Sequence, residues 1–208
     1  MLNRITHLDD EPDQPEKNGD AEAKAKDKSP GIEERLFKAR TILIYGGIDQ
    51  KIAKEVSARL LALQAAGDEP ITIFINSQGG HVESGDTIYD MIKFVKPEVR
   101  VVGTGWVASA GALIYAAAKK ENRFSLPNTR FLLHQPSGGA GGTASDVAIQ
   151  AKEIIRMRKR LNEIFSRETG QPIERIEKDT DRDYWMSAEQ AVEYGLVGKI
   201  VQNAAEIG

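Results

Sequence analysis

Residues 71–104 read ITIFINSQGGHVESGDTIYDMIKFVKPEVRVVGT, and this stretch decides the fold. Positions 71–75 are almost continuously apolar and β-branched, which suits a buried strand. Asn76-Ser77-Gln78-Gly79-Gly80 then reads as a turn. Ile88, Met91, Ile92 and Val95 follow at helical spacing, and Pro97 ends that helix. Positions 99–104 form a second strand. Strand, helix, strand with both strands apolar on consecutive positions is the signature of a crossover unit whose sheet is covered on both faces.

The same alternation extends outward. Positions 41–45 are β-prone and close at Gly46-Gly47. Asp49 is placed to cap a helix carrying Ile52, Val56, Leu60 and Leu63, stopped by Gly67. Positions 108–118 are rich in small residues and read as a buried helix. A strand at 130–133 runs into His134, and Gly138, Gly139, Gly141 and Gly142 make a flexible stretch. A long charged helix at 144–169 breaks at Gly170 and Pro172. Ser187 and Gln190 form a capping box for a helix that stops at Gly195, and 197–201 is a last strand. The fold class is α/β.

Residues 1–30 differ. Between Asp9 and Pro30 there is no Val, Ile, Leu, Phe, Tyr or Trp. Such a segment buries too little apolar surface to offset its ordering entropy, so a disordered polar tail over 1–30 is expected, followed by one domain over 31–208. The whole chain has 208 residues, 40% hydrophobic, with 28 basic against 31 acidic residues for a net charge of −3. That balance gives no basic pull toward nucleic acid or anionic lipid. No apolar run reaches a membrane-spanning length and no secretory leader is visible, so a cytoplasmic protein is expected. Cysteine is absent, which excludes a thiol nucleophile, disulfides and Cys-ligated metals.

The three histidines are the useful filter for chemistry, because a general base near neutral pH is most often His. His7 lies in the polar tail. His81 has Glu83 and Asp86 nearby but lacks the spacing of a metal motif, and a loop-stabilising role fits it better. His134 sits where an apolar strand gives out into a loop, which exposes a polar group to a cleft. A strand-end histidine bonded to nearby backbone fits the same position. Ser109, in Gly105-Trp106-Val107-Ala108-Ser109-Ala110-Gly111, follows a strand and opens a small-residue helix, where free N–H groups favour an oxyanion. A simple N-cap serine explains it equally. With Val107 in place of glycine the segment is not the Gly-x-Ser-x-Gly elbow. The acid candidates Asp179, Asp181 and Asp183 follow His134, against the Ser, acid, His order of α/β-hydrolases.

Taken in order, Asn76-Ser77-Gln78-Gly79-Gly80, Ile88-Tyr89-Asp90, Gly105-x-x-Ala108-Ser109, His134-Gln135-Pro136, Thr169-Gly170-Gln171, Asp179-Thr180-Asp181-Arg182-Asp183, Ser187-Ala188 and 191–197 resemble the proteolytic subunits of the caseinolytic Clp protease, over about residues 35–202. The resemblance implies a crotonase-like fold of repeated β-β-α units with an extended handle, a strand plus a long helix, at about 135–170. It implies a serine endopeptidase in which Ser109 is the nucleophile, His134 the base and Asp183 the acid, with the N–H groups of Gly80 and Ala110 as oxyanion hole. It also implies Asp181 and Arg182 as an inter-ring pair, and Phe74, Phe94 and Val201 in a cleft for an ATPase. The implied assembly is two stacked heptameric rings of this chain, served by an AAA+ unfoldase of the Clp type and fed with unfolded polypeptides. No metal or cofactor is implied. ATP would be used by the partner, since the chain has no Gly-x-x-x-x-Gly-Lys-Ser/Thr loop.

Three positions depart from the family pattern. Gln78 stands where Pro is usual, Ala110 where Met is usual, and a polar segment precedes Glu34 where an apolar one is usual. Two other readings stay open on the residues: a regulatory paralogue in a mixed ring, and a crotonase-fold enzyme acting on acyl-CoA thioesters.

Overall fold

A computed structural model of the chain describes residues 31–139 and 141–207. The polar segment 1–30, with His7, lies outside the described residues. In chain order the elements are α1 (Ile32–Lys38), β1 (Thr41–Ile48), α2 (Gln50–Ala66), β2 (Ile71–Gly80), α3 (Val82–Phe94), β3 (Val99–Ala108) and α4 (Ala110–Ala116). Then come β4 (Arg123–Ser125), β5 (Arg130–Leu133), α5 (Ala144–Thr169), α6 (Ile173–Asp179), β6 (Tyr184–Met186), α7 (Ala188–Tyr194) and β7 (Lys199–Ile200). The strands order as β1-β2-β3-β4-β7, and β5 pairs with β3 and with β6. Every pairing is parallel except β5–β6. This is the expected α/β class, with repeated strand and helix units on a parallel sheet. Among the described residues no helix is long and apolar enough to cross a membrane.

The core follows from strand parity. Ile42, Ile44, Ile71, Ile73 and Ile75 are all buried and pack with Val56, Leu60, Leu63, Ile88 and Ile92 of α2 and α3. The alternate positions are less covered. Leu43 and Tyr45 are about half exposed, and Phe74 joins a small second cluster with Val102, Phe124 and Val201. The expectation of two covered faces is thus corrected. Within one chain the helices cover one face of β1 and β2, and the apolar residues of the other face stay partly open.

Several boundaries also move. Asn76–Gly80 does not turn, because pairing with β1 and β3 continues and β2 runs to Gly80. β1 likewise passes through Gly46-Gly47 to Ile48. The last strand shrinks to Lys199–Ile200. The strand part of the handle is absent from the described residues. Gln135–Gly139 carry no ladder, and Pro136 has no N–H to donate to one; the expected long helix of this region is α5. The capping signals hold. Asp49 accepts from the Ile52 N–H, Ser187 and Gln190 form their reciprocal box, and Gly170 and Gly195 end their helices at φ 78° and 89°.

The C-terminal end of α5 is fastened by a buried ion pair. Arg123 is 1% exposed and donates to Ala118 O at 2.7 Å, Glu168 O at 2.7 Å and Glu168 Oε2 at 2.8 Å. Tyr89 OH donates to Glu168 Oε1 at 2.7 Å, and Lys93 Nζ stands 3.0 Å from the same oxygen. Burial pushes the Glu168 carboxyl upward, but the Tyr89 and Lys93 hydrogen bonds and the Lys93 and Arg123 charges outweigh it and hold the group below its ordinary value. A carboxyl lowered in the folded state contributes stability that is complete above its unfolded value, and that stability is lost as pH falls through the folded one. Glu168→Ala would strand the Arg123 guanidinium, so urea denaturation at neutral pH should show a loss of about 3–5 kcal/mol. The difference from wild type should shrink on acidification below the carboxylate range.

Candidate active site

Two strand registers bring distant residues together. β5 and β6 pair as Phe131↔Met186, Leu132↔Trp185 and Leu133↔Tyr184. One further step of the same antiparallel register sets His134 opposite Asp183. β3 and β5 pair as Val107↔Phe131 and Ala108↔Leu132, so Ser109 emerges beside the end of β5. The Ser109 N–H donates to Leu132 O at 3.0 Å and fixes that meeting point.

The side chains complete it. Ser109 Oγ is 2.8 Å from His134 Nε2, and His134 Nδ1 is 3.1 Å from Asp183 Oδ1. Both ring nitrogens are therefore engaged, one by a hydroxyl and the other by a carboxylate. Ser109 occupies the N-cap position of α4 but makes no side-chain cap bond. The N-cap explanation of this serine is thereby removed. Its backbone sits at φ 55°, ψ −121°, a left-handed conformation that costs a non-glycine residue about 1–3 kcal/mol. The surroundings impose it: besides the bond to Leu132, Ser109 O accepts from Leu113 N at 3.1 Å.

The loop that carries the acid is tied to the strand that carries the base. Gln135 N donates to Thr180 O at 2.6 Å, and Gln135 Nε2 to Asp181 O at 2.7 Å. Of the three acid candidates only Asp183 reaches His134. Asp179 accepts from Tyr194 OH at 3.0 Å, and Asp181 pairs with Arg158 at 3.2 Å and Arg182 at 3.5 Å.

The end of β2 forms the opposite wall. A Cβ on Gly79 would fall 2.6 Å from Ser109 Cβ and 2.8 Å from Ala108 O, so only glycine lets this strand approach the serine. The same point is 3.1 Å from Ala110 N, the first N–H of α4, which has no intrahelical partner. Beside Ser109, Ala110 and His134 lies a recess walled by Val82, Leu113, Leu133, Pro136, Leu161 and Phe165. Sequence reading missed this recess, because Leu113, Leu133, Leu161 and Phe165 look like ordinary core positions of α4, β5 and α5. A larger groove continues from it between Gly80–Glu83 and Pro136–Gly139, floored by α5 residues including Ile149 and Met157.

The remaining candidates are placed as follows. His81 packs its ring at the start of α3, with Nδ1 2.9 Å from Ser84 Oγ and Nε2 3.2 Å from Glu83. Asp86 pairs with Arg160 instead of joining it. Among the described residues no group of three or more His, Asp or Glu side chains could hold a metal ion. Phe74 and Val201 share one cluster, whereas Phe94 projects from the end of α3 with 71% of its surface exposed.

Comparison with known proteins gives consistent results. The Clp protease family model matches residues 24–204. The ATP-dependent Clp protease proteolytic subunit 3 of Rhizobium meliloti is 66% identical over 175 residues, covering 84% of this chain and 90% of the relative. The proteolytic subunit 2 of Gluconobacter oxydans is 57% identical over 206 residues, covering 97% and 92%. Among solved structures, ClpP1 from Listeria monocytogenes superposes with a TM-score of 0.77 at 57% identity, covering 85% of this chain and 99% of that one.

Proposed function

The chain belongs to the Clp protease family as a serine-type proteolytic subunit, and from that premise we propose that Ser109, His134 and Asp183 carry the hydrolysis. The observation that supports this is the continuous line of hydrogen bonds from Ser109 Oγ through both nitrogens of His134 to Asp183. A serine hydroxyl is a weak nucleophile at its own pKa, so His134 Nε2 takes the proton as Oγ attacks the peptide carbonyl. Asp183 holds the imidazole with its Nδ1–H toward the carboxylate and stabilises the imidazolium. His134 then hands the proton to the leaving amine, and water releases the acyl group by the same route.

The developing oxyanion is held by the N–H groups of Gly80 and Ala110. Gly79 N–H already donates to Ser77 Oγ, and His81 N–H donates to Ile48 O on the β1 side. These bonds commit the amides on either side of it, and we assign that of Gly80 to the Ser109 side. One such donor is worth about 2.7–4 kcal/mol in the transition state. The recess takes an apolar side chain preceding the scissile bond. A peptide with Leu there should be cut with kcat/KM at least about tenfold above its Asp counterpart, because burying an unpaired carboxylate there has no compensation.

The wider assignment follows the family. Copies of this chain form two stacked heptameric rings in the cytoplasm, with Asp181 and Arg182 between rings. A Clp-type AAA+ unfoldase uses the ATP, docks at Phe74, Phe94 and Val201, and delivers unfolded polypeptides. Residues 31–208 are the peptidase domain, and α5 is the long helix of its handle. The test is activity of the chain expressed alone. It should assemble to the mass of fourteen copies and cut a short apolar fluorogenic peptide without nucleotide. Turnover of an acyl-CoA thioester with no peptide cleavage would overturn the reading.

A further inference from the structure

The end of β2 reaches Ser109 only because its pairing is irregular on both edges. Toward β1, Tyr45 pairs with Asn76 and Gly47 with Gly79, so Ser77 and Gln78 together face the single residue Gly46. Toward β3, Ile75 pairs with Gly103 and Ser77 with Val107, which leaves extra residues on β3 opposite Asn76. Bulges of this kind leave backbone groups unpaired and re-aim a strand.

Side chains of the bulge take up those groups. Ser77, fully buried, donates from Oγ to Gly46 O at 2.7 Å and accepts from Gly79 N at 3.0 Å. Gln78, with Nε2 turned to Gly46 O and Oε1 to Gly47 N, closes two further bonds at 3.2 Å. Asn76 Oδ1 accepts from Trp106 N at 3.4 Å across the other irregularity. Ser77 also packs on α4: a Cβ on Gly111 would lie 3.1 Å from Ser77 Cβ. One hydroxyl thus ties β1 to the amide just before Gly80, and the residue that carries it packs beside the helix that starts after the nucleophile.

We propose that Ser77 and Gln78 are positioning residues for the hydrolysis, fastening the bulge of β2 so that the Gly79–Gly80 backbone is held against Ser109. This rests on the assignment of the Gly80 N–H to the oxyanion. Neither residue lines the recess beside Ser109 or the groove that continues from it. The Gly79 N–H bond fixes the orientation of the chain one peptide before the Gly80 amide, and Gly46 is the anchor on the far side. Displacement by a fraction of a bond length there weakens a donor whose value depends on geometry.

The test uses Ser77→Ala and Gln78→Ala in the full chain, with kcat and KM on a fluorogenic peptide. Rates are expressed per Ser109 site titrated by a fluorophosphonate, and melting temperature is recorded alongside. A purely structural role lowers the number of titrated sites and the melting temperature but leaves the rate per site unchanged. The expected result for Ser77→Ala is a fall of about 10- to 100-fold in kcat per site with KM within about threefold of wild type. For Gln78→Ala it is about 2- to 10-fold, the worth of an ordinary hydrogen bond. Wild-type kcat per site in both variants overturns the proposal. If Ser77→Ala fails to fold, Gln78→Ala decides: a reduced rate per site supports the proposal and a wild-type rate overturns it. Failure of the fluorophosphonate to label Ser109 in the wild-type chain is a separate outcome, which removes the underlying assignment and this inference with it.

Discussion

Ser109→Ala is expected to abolish peptide hydrolysis, by about 10⁶-fold in kcat if the three side chains act as one unit. The residual rate would come from the backbone donors and from substrate binding alone. Assembly and folding should be unaffected. Alanine keeps the Cβ that meets Gly79, and the N–H to Leu132 O and the carbonyl bond from Leu113 N both survive. Peptidase assay and native mass on the same preparation check this. Hydrolysis that persists in a correctly assembled variant would remove Ser109 from its role.

Asp183→Asn should cost about 10⁴-fold in kcat while leaving the fold intact. Asp183 is exposed, and its contact with His134 is a single 3.1 Å bond. Exposed substitutions of this kind change stability by only about 0.5 kcal/mol. The catalytic cost arises because an amide can donate to Nδ1, which puts the remaining proton on Nε2, where a base is needed. Native mass and melting temperature should match wild type while peptide turnover collapses. Near-normal turnover would mean that the acid comes from elsewhere. Within this chain the neighbouring carboxylates of Asp179 and Asp181 are occupied by Tyr194 and by Arg158.

Much of the fold was legible because it is carried by local signals. Asp49, Ser187 with Gln190, Gly170 and Gly195 mark helix ends through hydrogen bonds and positive φ that depend on a few adjacent residues. The glycine pairs misled, since Gly46-Gly47 and Gly79-Gly80 read as turns yet stay in strands held by pairing with distant neighbours. Short elements such as β4, β6 and α6 gave no periodic pattern, and their existence depends on what they pack against. The second face of the sheet reads as covered because apolar residues stand at consecutive positions, but burial there needs surface that one chain does not supply.

The site was legible as residues and not as geometry. Ser109 and His134 could be selected by position at strand ends, and only the resemblance to the Clp family pointed to Asp183 among three aspartates. Nothing local indicates that Ser109 adopts a positive φ, that Ser77 and Gln78 both close on Gly46, or that Leu113, Leu161 and Phe165 wall a recess. These follow from register and helix packing, which are tertiary properties.

The most direct measurement is to react the wild-type chain with a fluorophosphonate and map the adduct by mass spectrometry. The account predicts one modified residue, Ser109, with labelling lost in Ser109→Ala and strongly slowed in His134→Ala. An adduct on any other serine, or labelling of Ser109 that proceeds at the wild-type rate without His134, would contradict it.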